Sequence, residues 1–210
     1  MALANIDLPP RQEPLILAWP VAGNPLAFVQ FDDPDQWRRF IDALGIHPLI
    51  PDIVAAKFAR AQTLYLLGWI DPGLVKAGEL AALVTLELAL TDRLGGAVRD
   101  LKRTNSVGKS AQARRVAERK PSFAELLRHL VDVEKLTDVD IPVIVRCGGT
   151  AIGQLVGDVR PTLAERRNSL AHGDPFDGLP AAGLLELVRD LINFAYRDYI
   201  AEGERQGISR

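Results

Sequence analysis

Apolar positions recur at helical spacing along most of the chain and form short, strand-like runs only near its start. After a loose, proline-containing lead-in over 1–13, residues 14–19 and 26–31 are brief apolar stretches. They flank Pro20 to Pro25, with Gly23-Asn24 between. Gly-Asn between prolines is turn chemistry, so the pattern predicts a small β-hairpin. At Asp33-Pro34 the period changes. Trp37, Phe40, Ile41 and Leu44 follow at three-and-four spacing up to Gly45, which predicts a capped helix. A second helix is predicted from about Pro51 to Gly68.

Asp71-Pro72 is an N-cap with proline at the first helical position. It opens a long helix, predicted to reach about Leu94. Leu80, Leu83, Val84, Leu86, Leu88 and Leu90 make this helix apolar nearly all round, which places it at the centre of a bundle. Ser122-x-x-Glu125 is a capping box that starts the next helix, to about Leu136. Residues 137–160 stay open between strand and helix, because the Ile141–Val145 run fits both and Gly148, Gly149 and Gly153 weaken both. Residues 161–172 read as a helix, and 180–201 as a long final one. The predicted fold is mainly α: five or six helices with a small N-terminal β element. Residues 1–45 read as an N-terminal extension and 46–210 as the helical bundle.

Composition narrows the function classes. Hydrophobic residues make up 48% of the 210 positions, enough for a sizeable core. Net charge is −2 and the pI about 5.9, so bulk charge does not make this a polyanion binder. One cysteine, Cys147, excludes an intrachain disulfide and a Cys-rich zinc site, and reads as a buried apolar residue. No signal-peptide pattern and no run of ~18 apolar residues is present, so a soluble cytoplasmic protein with no membrane partner is expected.

Against this mild acidity, residues 99–120 stand out. Eight cations (Arg99, Lys102, Arg103, Lys109, Arg114, Arg115, Arg119, Lys120) face two carboxylates, Asp100 and Glu118, for a net +6. The segment near 99–121 reads either as an RNA-guiding basic loop, with Lys102, Arg103, Lys109, Arg114 and Arg115 on phosphates, or as a solvated inter-helix loop. It lacks aromatics for base stacking. Gly108-Lys109-Ser110 looks like the tail of a P-loop, but position 103 is Arg, so the phosphate-cradling turn is missing. His47 and His129 read as surface or capping residues, Tyr196 and Tyr199 as packing, and Trp19, Trp37 and Trp69 as anchors.

The strongest chemistry lies in Arg166-Arg167-Asn168-Ser169-Leu170-Ala171-His172-Gly173. A cation, an amide and an imidazole crowd the end of a helix that Gly173 stops. Imidazole both takes and gives protons near neutral pH, and a guanidinium matches phosphate oxygens. Asn168 and His172 share a stripe at i,i+4. Arg167 and His172 are about 140° apart around the helix, so one helix alone does not complete a site. Arg166, with five residues between it and His172, lies on the other side of His172 around the helix. Glu87, set among Leu83, Val84, Leu86, Leu88 and Leu90, either meets Arg167 across the bundle or belongs to an exposed stripe with Glu79 and Asp92.

At these residues the chain resembles the HEPN superfamily. The motif Arg167-Asn168-Ser169-Leu170-Ala171-His172-Gly173 matches its Arg-Asn-x-x-x-His form on a penultimate bundle helix, over roughly residues 50–200. The resemblance implies a metal-independent endoribonuclease, of toxin or phage-defence type, that needs no cofactor. It also implies a homodimer in which two motifs meet, with RNA as substrate and an antitoxin or other regulatory protein as partner. By the same resemblance Arg167 and His172 are catalytic, Asn168 assists them, and Glu87 and Arg166 support the motif. The resemblance equally admits a non-catalytic module for dimerisation or for nucleotide or protein binding.

Overall fold

A computed structural model of the chain describes residues 6–106, 118–173 and 180–207. Their architecture is mainly helical with one antiparallel hairpin. Strands β1 (Leu15–Ala18) and β2 (Phe28–Phe31) pair in the register Leu15↔Phe31 and Leu17↔Val29. Alternation turns Leu15, Leu17 and Phe31 into the core and leaves Ile16 and Phe28 outside. Helix α1 (Pro34–Asp42) starts as predicted: the Asp33 carboxylate accepts the Gln36 amide, and Pro34 fills the first turn. Trp37 fixes α1 to α2 (Asp52–Leu67). Its indole N–H donates to the carbonyls of Tyr65 and Leu66, 3.2 and 3.1 Å away. Those carbonyls lie in the last turn of α2, where they also accept the amides of Gly68 and Trp69. Trp19, Phe31, Trp37, Phe40 and Tyr65 form an aromatic cluster between hairpin, α1 and α2. The described part of residues 1–45 therefore shares one hydrophobic core with the helices that follow.

Helix α3 (Leu74–Ser106) is the axis of the molecule. It packs against α2, α4 (Phe123–Asp132), α7 (Leu163–His172) and α8 (Leu184–Ala195). The helix runs twelve residues past the predicted end at Leu94. Gly95 and Gly96 lower helix propensity without breaking the hydrogen-bond ladder, and no proline follows. Lys102 and Arg103 consequently stand on the last turns of α3, not in an inter-helix loop. No helix among the described residues is long and apolar enough to cross a membrane.

The ambiguous 137–160 region contains no strand. It forms a 3-10 turn (Asp138–Asp140) and two short helices, α5 (Pro142–Cys147) and α6 (Ile152–Val156). Two carboxylates, the buried Asp190 and the half-buried Asp138, hold these turns. Asp190 of α8 accepts the Val143 amide in the first turn of α5 at 2.8 Å, and Asp138 accepts the Ala151 amide at 2.8 Å. The final helix is also shorter than its pattern. Gly183 adopts φ +66°, a left-handed conformation that cannot continue a helix, so α8 starts at Leu184 rather than near residue 180. At Tyr196 the backbone leaves helical geometry before α9 (Arg197–Arg205).

The α2–α3 crossing is a close approach of two helices. A Cβ built on Gly78 would lie 2.6 Å from the ring of Tyr65, itself 1% exposed. Alanine favours a helix over glycine by about 1 kcal/mol, whereas overpacking a core costs about 1–3 kcal/mol. Steric cost wins at Gly78, while Gly96 has nothing within 4 Å of its Cβ position. In urea denaturation, Gly78→Ala should lower stability by about 1 kcal/mol or more. Gly96→Ala should raise it by about 0.4–1 kcal/mol. A stabilised Gly78→Ala protein would show that α2 and α3 are not in this contact.

Candidate functional site

Helix α7 carries the motif and is defined by local chemistry at both ends. Its N-terminus is a capping box: the Thr162 hydroxyl accepts the Glu165 amide and the Glu165 carboxylate accepts the Thr162 amide, each at 3.0 Å. At its C-terminus Gly173 takes φ +66°, ψ +52°, and its amide caps the Ser169 carbonyl. The helix thus ends on His172, which is exposed, as is Asn168. The sequence carries this capping box as Thr162-x-x-Glu165, and it starts α7 at Leu163, two residues after the expected start.

Arg167 points inward from this helix. Its Nη2 donates to Glu87 Oε2 on α3, and its Nη1 to the Asn168 amide oxygen at 3.0 Å. Both partners of the ion pair are largely withdrawn from solvent, with side-chain exposures of 29% for Arg167 and 21% for Glu87. The Arg167 Nε is buried without a hydrogen-bond partner among the described residues. The contact expected between Glu87 and Arg167 is therefore present, and it holds the guanidinium in one place on the bundle. His172 lies outside this pair at the helix end, consistent with the angular separation of five residues.

Arg166 does something different. Its Nη1 lies 3.5 Å from Oε2 of Glu79, a carboxylate with 0% exposure. The other oxygen of Glu79 accepts the Ala181 amide, just before α8. Glu79 therefore ties α7 to the approach of α8, and does not belong to an exposed stripe with Glu87 and Asp92. Tyr65 lies in the same interior region. Burial first, then the nearby Glu79 carboxylate, push its phenol well above the ordinary range and keep it neutral. The signal for Glu79 was present in the sequence. Glu79 and Glu87 are eight residues apart, about 12 Å along α3, facing two consecutive arginines.

The basic segment divides. Lys102 is engaged with Glu125 of α4 at 2.8 Å, which makes it a clamp between helices as well as a surface cation. Arg103 is exposed. Lys109, Arg114 and Arg115 lie outside the described residues.

A cavity of about 340 Å³ opens beside the motif. Arg166 lines it, and Arg167 and His172 are not among its walls. No family model, no curated protein and no solved structure matches the chain. The reading of the site therefore rests on its own geometry.

The two arginines differ in what their loss leaves behind. Removing a partner from a buried ion pair costs about 3–5 kcal/mol, and less where solvent reaches the remaining charge. Arg166→Met leaves the fully enclosed Glu79 carboxylate, so it should destabilise more than Arg167→Met, by denaturant titration at neutral pH. A larger loss for Arg167→Met would reverse the assignment of the two roles.

Proposed function

We propose that the chain is a metal-independent endoribonuclease of the HEPN type. It cleaves RNA by attack of a ribose 2′-hydroxyl on the neighbouring phosphate. The observation that carries this reading is the immobilised Arg167, gripped by Glu87 and Asn168, on the same short helix as the exposed His172. In the reaction His172 takes the 2′-hydroxyl proton and a second imidazole returns one to the 5′-oxygen leaving group. Arg167 lowers the energy of the dianionic phosphorane because its charge is in place before that charge develops. Glu87 acts on the substrate only through Arg167 and is a positioning residue.

The separation of Arg167 and His172 around α7 supports a homodimer, in which the motif of one protomer faces that of its partner and supplies the second imidazole. The same reading makes the chain a cytoplasmic toxin or phage-defence effector restrained by an antitoxin or another regulatory protein. Lys102 and Arg103, at the end of α3, would lead RNA towards the motif.

One observation favours a second reading, a non-catalytic HEPN-like module for dimerisation or for nucleotide or protein binding. Both terminal nitrogens of Arg167 already hold internal partners, which is the arrangement expected of a structural arginine.

Cleavage of a mixed RNA panel in EDTA separates the two. The wild-type protein should cut, and His172→Ala should lose about 10²-fold or more of the rate. Glu87→Gln should fall by about tenfold while the protein stays folded by circular dichroism. Intact RNA with the wild-type protein, or equal rates for wild type and His172→Ala, would leave the binding module standing.

A further inference from the structure

The cavity beside Arg166 has the character of a small-molecule site. It opens between the hairpin turn, the loop after α5, the start of α7 and the approach to α8. Its volume of about 340 Å³ falls within the range of ligand pockets, about 300–1,000 Å³. The walls are mostly apolar, with Leu26, Ile144, Leu163 and Leu187 on different sides. Among the described residues Arg166 is the one charged side chain that lines it.

A single cation in an apolar wall selects its ligand by that charge. Glu79 is not among the lining residues and has 0% exposure, so it holds the guanidinium from behind. Nη1 stands 3.5 Å from Glu79 Oε2, longer than the ~2.8 Å of a strong charge-assisted hydrogen bond. A guanidinium has five N–H donors in a planar fork, so a second carboxylate finds a matching face on the cavity side. Leu26 stands at the mouth with 76% of its surface exposed, an apolar rim that an entering chain would cover.

We propose that this cavity binds a small amphipathic carboxylate, its apolar body against Leu163 and Leu187 and its carboxylate on Arg166. The inference stands apart from ribonuclease activity, since it needs neither His172 nor RNA.

The test is calorimetric titration of the full chain with octanoate and with octanamide, its uncharged counterpart. Octanoate should bind about tenfold more tightly than octanamide. Arg166→Gln should erase that preference. Because Arg166 also supports the fold, two further variants avoid it. Leu26→Glu, at the apolar rim, should weaken both probes through the lost apolar contact, and octanoate about threefold more than octanamide through added charge repulsion. Ala182→Phe, which fills the cavity from the approach to α8, should weaken both probes. Equal binding of the two probes by the wild type, no heat with either, or octanoate affinity unmoved by Leu26→Glu and Ala182→Phe would overturn the proposal.

Discussion

Two carboxylates on one central helix, each facing an arginine of α7, hold the Arg–His segment of this protein in place. Glu79 and Glu87 lie on α3, the helix around which α2, α4, α7 and α8 pack. Charge inside an apolar helix is costly unless a partner meets it. Here the partners are consecutive residues, so both pairs form only when α7 crosses α3 at one place and one rotation. That double requirement fixes how α7 lies. It therefore also fixes where Asn168 and His172 emerge, although neither touches α3 through a side-chain hydrogen bond among the described residues. The fit of α2 onto α3 at Gly78 acts beside Glu79 on the same helix, with Tyr65 close to both. Between them, a steric constraint and an electrostatic one leave α3 little freedom to shift.

Where the physics was local, the sequence was a sufficient guide. Asp33-Pro34 and Ser122-x-x-Glu125 mark helix starts because the groups that satisfy the first-turn amides lie within three residues, whereas Asp71-Pro72 makes a turn closed on the Gly73 amide and α3 begins only at Leu74. The hairpin was legible for the same reason: its turn residues and its alternation are neighbours in the chain. The all-round apolar character of residues 74–90 correctly implied a central helix. Elements decided by distant partners were not legible. The short helices of 142–156 depend on Asp190 and Asp138, and nothing near Ile141 signals that its amide neighbours will be capped from α8. Gly183 ends the approach to α8 where Pro20 of the hairpin comes so close that a Cβ would meet it at 2.5 Å. That neighbour is more than 160 residues away in the chain.

The candidate site shows the same division. Its residue types and spacing could be read directly, and so could the conflict of Glu87 with its apolar neighbours. What sequence spacing could not separate was Arg166 from Arg167. The structure distinguishes them by burial: Arg166 serves an enclosed carboxylate and lines a cavity, while Arg167 holds a partly solvated one beside Asn168. Of the two readings open for the polar stripe of α3, Glu79 departs from the exposed one, since helical periodicity alone does not say which carboxylate α7 and the approach to α8 will cover.

The proposed chemistry is attack of a 2′-hydroxyl on the adjacent phosphate, served by His172 and by an Arg167 that Glu87 holds. The most direct measurement is the identity of the new RNA ends, by mass spectrometry of fragments produced in EDTA. The account predicts a 2′,3′-cyclic phosphate on the upstream fragment and a 5′-hydroxyl on the downstream one. Fragments ending in a 3′-hydroxyl and a 5′-phosphate would contradict it, because those ends require water or another external nucleophile in place of the ribose hydroxyl.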